Sequence, residues 1–156
     1  MSEPMPQSST SLHPFHLAFP VMNLERTRDF YGTILGCEEG RSSSEWVDFN
    51  FFGHQLVAHQ VKQALESKLP CSSVDGHQVP VRHFGLVLPY PEWLELSERL
   101  QAFQVEFLLE PDLRFKNTPG EQFTLFVQDP DGHALEFKSM TKPENLFARF
   151  DDETHA

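Results

Sequence analysis

Short apolar runs separated by turn-forming residues dominate the pattern of this chain, and two of them are near copies. Phe15-His16-Leu17-Ala18-Phe19-Pro20-Val21 and Arg82-His83-Phe84-Gly85-Leu86-Val87-Leu88 each read as a strand opening on a histidine, followed by a segment of helical period. After the first run Asn23 offers a helix cap, and Leu24, Thr27, Phe30, Tyr31, Ile34 and Leu35 recur at helical spacing until Gly36. A polar turn at residues 42–44 leads into Trp46, Val47, Phe49, Phe51 and Phe52, a β-prone run broken by Gly53-His54, and a further strand over 55–59 completes a β-α-β-β-β set. The second half repeats that order. A strand at 82–88 precedes a helix over 91–103 with Trp93, Leu94, Leu96, Leu100 and Phe103 on one side, then strands near 106–109, 122–127 and 134–138. Asp129-Pro130-Asp131-Gly132 between the last two is a tight turn, because Pro fixes φ and Gly accepts positive φ.

The pattern predicts an α+β fold of two βαβββ modules. Residues 1–12 read as a flexible N-terminal segment, 13–60 as the first module, 61–80 as an inter-module loop and 81–140 as the second module. Residues 141–156 read as an acidic C-terminal tail in which Leu146, Phe147 and Phe150 are placed to pack back as a short helix.

Register makes the repeat specific, since neighbours on a strand alternate faces. His16 and His83 differ by 67 positions, and Gly53-His54-Gln55-Leu56-Val57 matches Gly132-His133-Ala134-Leu135-Glu136 at an offset of 79. The extra residues fall around 112–120, a candidate rim or lid with Pro119-Gly120 as its hinge. Glu136 therefore stands where the first module has Val57, with His59 the next residue on the same face. An ionised carboxylate inside an apolar strand is costly unless paired or metal-bound. A symmetric fold is expected to bring His16 and His83 together with Glu136, as two imidazoles and one carboxylate holding a divalent ion with positions left open. The structural alternative pairs Glu136 with Arg82 or Arg114, and gives His54 and His133, each after a glycine, turn or rim roles.

Composition narrows the partners. A net charge of -11 repels phosphate backbones and anionic membranes, so neither nucleic acid nor membrane is an expected partner. No run has the length of a membrane span and the N-terminus lacks a signal pattern, so a cytoplasmic location is expected. Cys37 and Cys71 stand in unlike contexts and are expected to be reduced.

Four motifs in order, F-H-L-A-F-P-V, D-F-Y-G-T-I-L-G, H-F-G-L-V-L and D-P-D-G-H-A-L-E-F, resemble the vicinal oxygen chelate superfamily, which includes glyoxalase, bleomycin-resistance protein and extradiol dioxygenase. The resemblance covers about residues 14–139. It implies that the two modules form a curled, cup-like mixed sheet with helices outside, and that the metal ligands stand on the first strand of each module and the last strand of the second, here His16, His83 and Glu136. Two histidines and a glutamate are the extradiol dioxygenase set around iron(II), with manganese, nickel or zinc as other candidate ions. The resemblance also gives His59 the place of a non-ligand acid/base. The small-molecule substrate, aromatic or carrying vicinal oxygens, would meet Trp46, Phe49, Arg114, Phe115, Gln122 and Phe123, with Arg41 and Phe51 also on the cup. The tyrosine that many extradiol enzymes carry before the last ligand strand is missing, since the only tyrosines are Tyr31 and Tyr90. A glyoxalase-like lyase or isomerase is the enzyme alternative, requiring His59 to reach the metal. A metal-free bleomycin-resistance-like binding protein is the alternative of another class. Sites in the superfamily form within one chain or across a dimer, so a homodimer is a candidate assembly.

Overall fold

The computed structural model describes residues 12–65 and 68–149. The expected lead-in, apart from Leu12, and the tail from Phe150 onward lie outside the described residues. The first module comprises β1 (His16–Val21), α1 (Leu24–Arg28), β2 (Glu38–Ser42), β3 (Trp46–Phe51) and β4 (His54–Gln60). A hairpin of β5 (Cys71–Val74) and β6 (His77–Pro80) follows. The second module comprises β7 (Phe84–Val87), α2 (Tyr90–Ala102), β8 (Phe107–Arg114), β9 (Gln122–Gln128) and β10 (Ala134–Met140). The order within the two four-stranded sheets is β1-β4-β3-β2 and β7-β10-β9-β8, the same arrangement twice, so the α+β reading of paired βαβββ modules holds.

Several elements differ from expectation for local reasons. Asn23 does cap the first helix, its side chain accepting from the Arg26 N–H at 3.0 Å. After one α-helical turn, however, residues Asp29–Ile34 widen into a π-helix in which the adjacent Phe30 and Tyr31 are both buried. Gly36, at φ +76°, ends it. Strand β2 escapes notice in the sequence because all five of its residues are exposed. The stretch expected as a loop over 61–80 contains the β5–β6 hairpin, whose turn is Asp75-Gly76, both at positive φ. Strand β8 continues to Arg114, so part of the expected 112–120 rim is sheet. On α2 the buried stripe is Trp93, Leu96, Ser97 and Leu100, while Leu94 and Phe103 are exposed. Cys37 and Cys71 are free thiols.

Alternation decides which way each strand faces. In β1 the outward residues His16, Ala18 and Pro20 are exposed, while Leu17, Phe19 and Val21 pack toward the core. In β10, Leu135 and Phe137 are fully buried, while Glu136 and Lys138 face out. Both sheets turn their apolar faces into one core. Phe19 meets Phe84 at 6.1 Å, Phe51 meets Phe84 at 6.1 Å, and Phe51 meets Phe137 at 6.0 Å. Such aromatic pairs contribute about 0.5–1.5 kcal/mol each beyond the area they bury.

The turn between β9 and β10 clasps the two modules. Asp129 Oδ1 accepts the N–H groups of Asp131 and His133, both at 2.9 Å, while Oδ2 accepts the Tyr31 hydroxyl at 2.9 Å. Asp131 in turn accepts the Met22 N–H at 3.0 Å, and His133 Nε2 donates to the Pro20 carbonyl at 2.6 Å. Burial is the main cause that raises the pKa of both Asp129 and Tyr31, with the nearby His133 opposing it at Asp129. The motif thus fastens the second module to β1, to Met22 just after it and to the π-helix. Replacing Tyr31 with Phe leaves a buried carboxylate oxygen without its donor. It should lower unfolding stability by about 1–3 kcal/mol in urea denaturation, whereas an unchanged midpoint contradicts the clasp.

The parallel pairing confirms the repeat register: Ala18 sits opposite Val57 in one sheet and Gly85 opposite Glu136 in the other. Gly85 has no room for a side chain, because a Cβ there would overlap the Glu136 carbonyl. Gly85→Ala must therefore push β7 from β10. The expected loss is about 1–3 kcal/mol, read as a lower thermal midpoint, and a neutral effect would show that the strands can separate freely.

Candidate functional site

The outward face of the second sheet forms the floor of a cavity of about 1050 Å³, walled by the β5–β6 hairpin and the segment after β8. His83, just ahead of β7, and Glu136 on β10 meet there, with Nε2 and Oε2 3.1 Å apart. Each is held from behind. His83 Nδ1 lies 2.6 Å from the Pro80 carbonyl. A carbonyl only accepts, so Nδ1 carries the proton and Nε2 is left toward Glu136. Thr124, fully buried on β9, donates its hydroxyl to Glu136 Oε1 at 2.8 Å. Among the described residues Glu136 pairs with neither Arg82 nor Arg114, the two structural alternatives.

His16 occupies the outward face of the first sheet, where it is held in the same way. Its Nδ1 lies 2.8 Å from Gln55 Oε1, and the Gln55 amide is oriented by donating Nε2 to Asp48 Oδ2 at 3.2 Å. The proton is therefore on Nδ1, and Nε2 is the free nitrogen. Asp48 is buried and also meets Arg41, whose Nε lies 3.4 Å from Oδ2. Trp46 and His59 share this face, since Trp46 pairs with His59 and His59 with Pro20. His59 is two same-face steps beyond His16, roughly 13 Å along the strands.

The expectation that one chain brings His16 to His83 and Glu136 is corrected by this geometry. Among the described residues no three His, Cys, Asp or Glu side chains are grouped to hold a metal. The reason is the shared core: both sheets point apolar faces inward, so their polar faces look away from it. Two expected substrate contacts are corrected for a related reason. Phe49 is 1% exposed and packs 5.5 Å from Tyr31, and Phe123 lies against Tyr90 and Trp93 at 4.7 and 5.4 Å, so both face the core side. Phe51 is likewise buried in the core. Trp46 and Arg41 are on the first module's polar face, outside the cavity, whereas Arg114, Phe115 and Gln122 do line it.

Sequence reasoning missed Thr124, Gln55, Asp48, Phe126, Lys138 and Asp75. Asp48 carried the same signal as Glu136, a carboxylate within an apolar strand, W-V-D-F-N-F. Thr124 could have been found as the same-face partner of Gln122 inside Q-F-T-L-F-V.

The donor set fits a divalent ion. Two imidazoles with Nδ1 anchored, and a carboxylate with one oxygen fastened by Thr124, leave Nε2 of each histidine and Oε2 of Glu136 as the atoms a metal would take, displacing the 3.1 Å contact between His83 and Glu136.

The comparisons agree with this architecture. Residues 13–137 match the family model of the Glyoxalase/Bleomycin resistance protein/Dioxygenase superfamily. Among solved structures, a glyoxalase/bleomycin resistance protein/dioxygenase from Alicyclobacillus acidocaldarius is 28% identical, with a TM-score of 0.74 over 86% of this chain and 96% of that one. An integron cassette protein from the mobile metagenome of the Halifax Harbour sewage outfall is 25% identical, with a TM-score of 0.61 over 82% and 98% of the two chains. The fosfomycin resistance protein FosX of Listeria monocytogenes, at 22% identity, shares the fold with a TM-score of 0.63 over 89% and 100%. With most of its length inside the family model and its strand order repeated twice, the chain belongs to the glyoxalase, bleomycin resistance protein and dioxygenase superfamily.

Proposed function

We propose that this protein is a metal-dependent enzyme acting on a small substrate with neighbouring oxygens, its site completed by a second copy of the chain. His16 of one copy would join His83 and Glu136 of the other. The observation that carries the reading is the His83–Glu136 pair, with Nε2 and Oε2 3.1 Å apart and both groups anchored from behind. A bound divalent ion would supply Lewis-acid polarisation of two adjacent substrate oxygens. Strands β1 and β7 each lie at the edge of their sheet, and β1 presents the small exposed Ala18, which suits close approach of another copy.

Ring cleavage of a catechol with iron(II) is the first reading, because the ligand set is two histidines and one glutamate. His59 would arrive on the same face as His16. Its spacing of roughly 13 Å from the His16 row argues against a metal ligand, and leaves His59 a proton carrier only for substrate atoms remote from the metal. The lyase or isomerase reading gains from another observation: Phe49 and Phe123 face the core, so the cavity has fewer aromatic walls than a catechol pocket invites.

Glu136→Gln should weaken binding of iron(II), manganese, nickel or zinc by on the order of 10- to 100-fold or more, since the substitution removes a ligand charge where outer-shell changes alone cost that much. Unchanged metal affinity, measured by titration of protein purified without chelators, contradicts the site. A wild-type protein that takes up none of these ions supports a metal-free binding protein instead. Oxygen consumption with a catechol panel and iron(II) separates the two enzyme readings, uptake supporting ring cleavage and its absence the lyase or isomerase.

A further inference from the structure

We infer that Arg114 anchors an oxyanion of the substrate, and that Asp75 on the β5–β6 turn is the counter-ion this oxyanion displaces. The inference rests on reading the cavity as the substrate pocket. Arg114, at the end of β8, is 5% exposed and lines that cavity. The one hydrogen bond of its guanidinium among the described residues runs from Nη2 to the Val74 carbonyl, at 2.5 Å. Its Nε is buried without a hydrogen-bond partner. A guanidinium carries five N–H donors, and burying it with donors unfilled is costly unless something else completes the set.

Asp75 is a poor permanent partner. Its Oδ2 stands 3.5 Å from Arg114 Nε, too far for a good hydrogen bond, and its side chain is 42% exposed on a hairpin turn. A carboxylate or phosphate-type oxyanion entering the cavity could meet the guanidinium fork with two bonds where Asp75 offers one weak contact. Lys116 and Lys138 line the same cavity and add positive potential.

The position also sets the kind of substrate. Glu136 pairs with Phe126 and Arg114 with Gln122, four residues earlier on β9. The rows lie roughly 13 Å apart along the strands, a gap that the long arginine side chain narrows but does not close. The substrate's anionic group therefore stands several bonds from the oxygens that meet His83 and Glu136, rather than beside them.

The test uses chelator-treated full-length protein, with 3-phenylpropionate, phenylphosphonate and the neutral 3-phenylpropionamide titrated calorimetrically. At least one anion should bind on the order of tenfold or more tightly than the amide, and Arg114→Gln should remove that advantage while leaving the amide unaffected. The tighter of the two anions identifies the oxyanion. Asp75→Asn should tighten anion binding several-fold, and more than Asp112→Asn, another carboxylate lining the cavity. Equal binding of anions and amide, or an Asp75→Asn change that weakens or leaves anion binding, overturns the inference. If Arg114→Gln fails to fold, the sign of the Asp75→Asn effect decides. Metal uptake measured in parallel keeps the readings apart: anion binding without metal uptake overturns only the metal site, and metal uptake without anion selectivity overturns only the Arg114 assignment.

Discussion

The rest of the structure depends on one packing constraint: two twisted sheets bury their apolar faces in a single core. Phe19, Phe51, Phe84 and Phe137 make that contact directly. Once those residues face inward, the two-residue period of a strand leaves no choice about their neighbours. His16, Ala18, Asp48 and Gln55 are thrown to the outer face of one sheet, and Gly85, Glu136, Lys138 and Thr124 to the outer face of the other. The chemistry of the chain is thus divided between two surfaces pointing away from each other.

On each surface the sequence supplies a different device for the same purpose. His83 is steered by a backbone carbonyl and His16 by a side-chain relay through Gln55 to Asp48, yet both end with the proton on Nδ1 and Nε2 presented outward. Glu136 has one oxygen fastened by Thr124 and the other turned to His83. Such anchoring restricts rotamers and fixes tautomers before any ligand arrives, which is the usual requirement for a rigid ligand set.

Much of this was legible in the sequence because it is written in alternation. The doubled strand, helix and turn order, the match of Val57 to Glu136 and the capping role of Asn23 all depend on local spacing, and the observed register reproduces them. What was not legible depends on which neighbour a residue meets across the fold. Phe49 and Phe123 look like cup-lining aromatics until the core claims them. The β5–β6 hairpin has no apolar alternation strong enough to announce it, and Asp75 matters only because Arg114 lies beside it. The D-P-D-G-H motif lies outside the cavity lining and acts as a clasp built on Asp129 and Tyr31.

In the proposed dimer the histidine of one sheet serves the His83–Glu136 pair of another copy. Complementation between two defective variants tests it directly. His16→Ala and Glu136→Ala chains, purified separately and then mixed under conditions that exchange subunits, should each bind divalent metal poorly alone. Their mixed dimer should recover one tight site, because one of its two sites contains only wild-type ligands. A mixture that binds no more metal than its parents, or a wild-type monomer that holds the ion tightly by itself, would contradict the shared site.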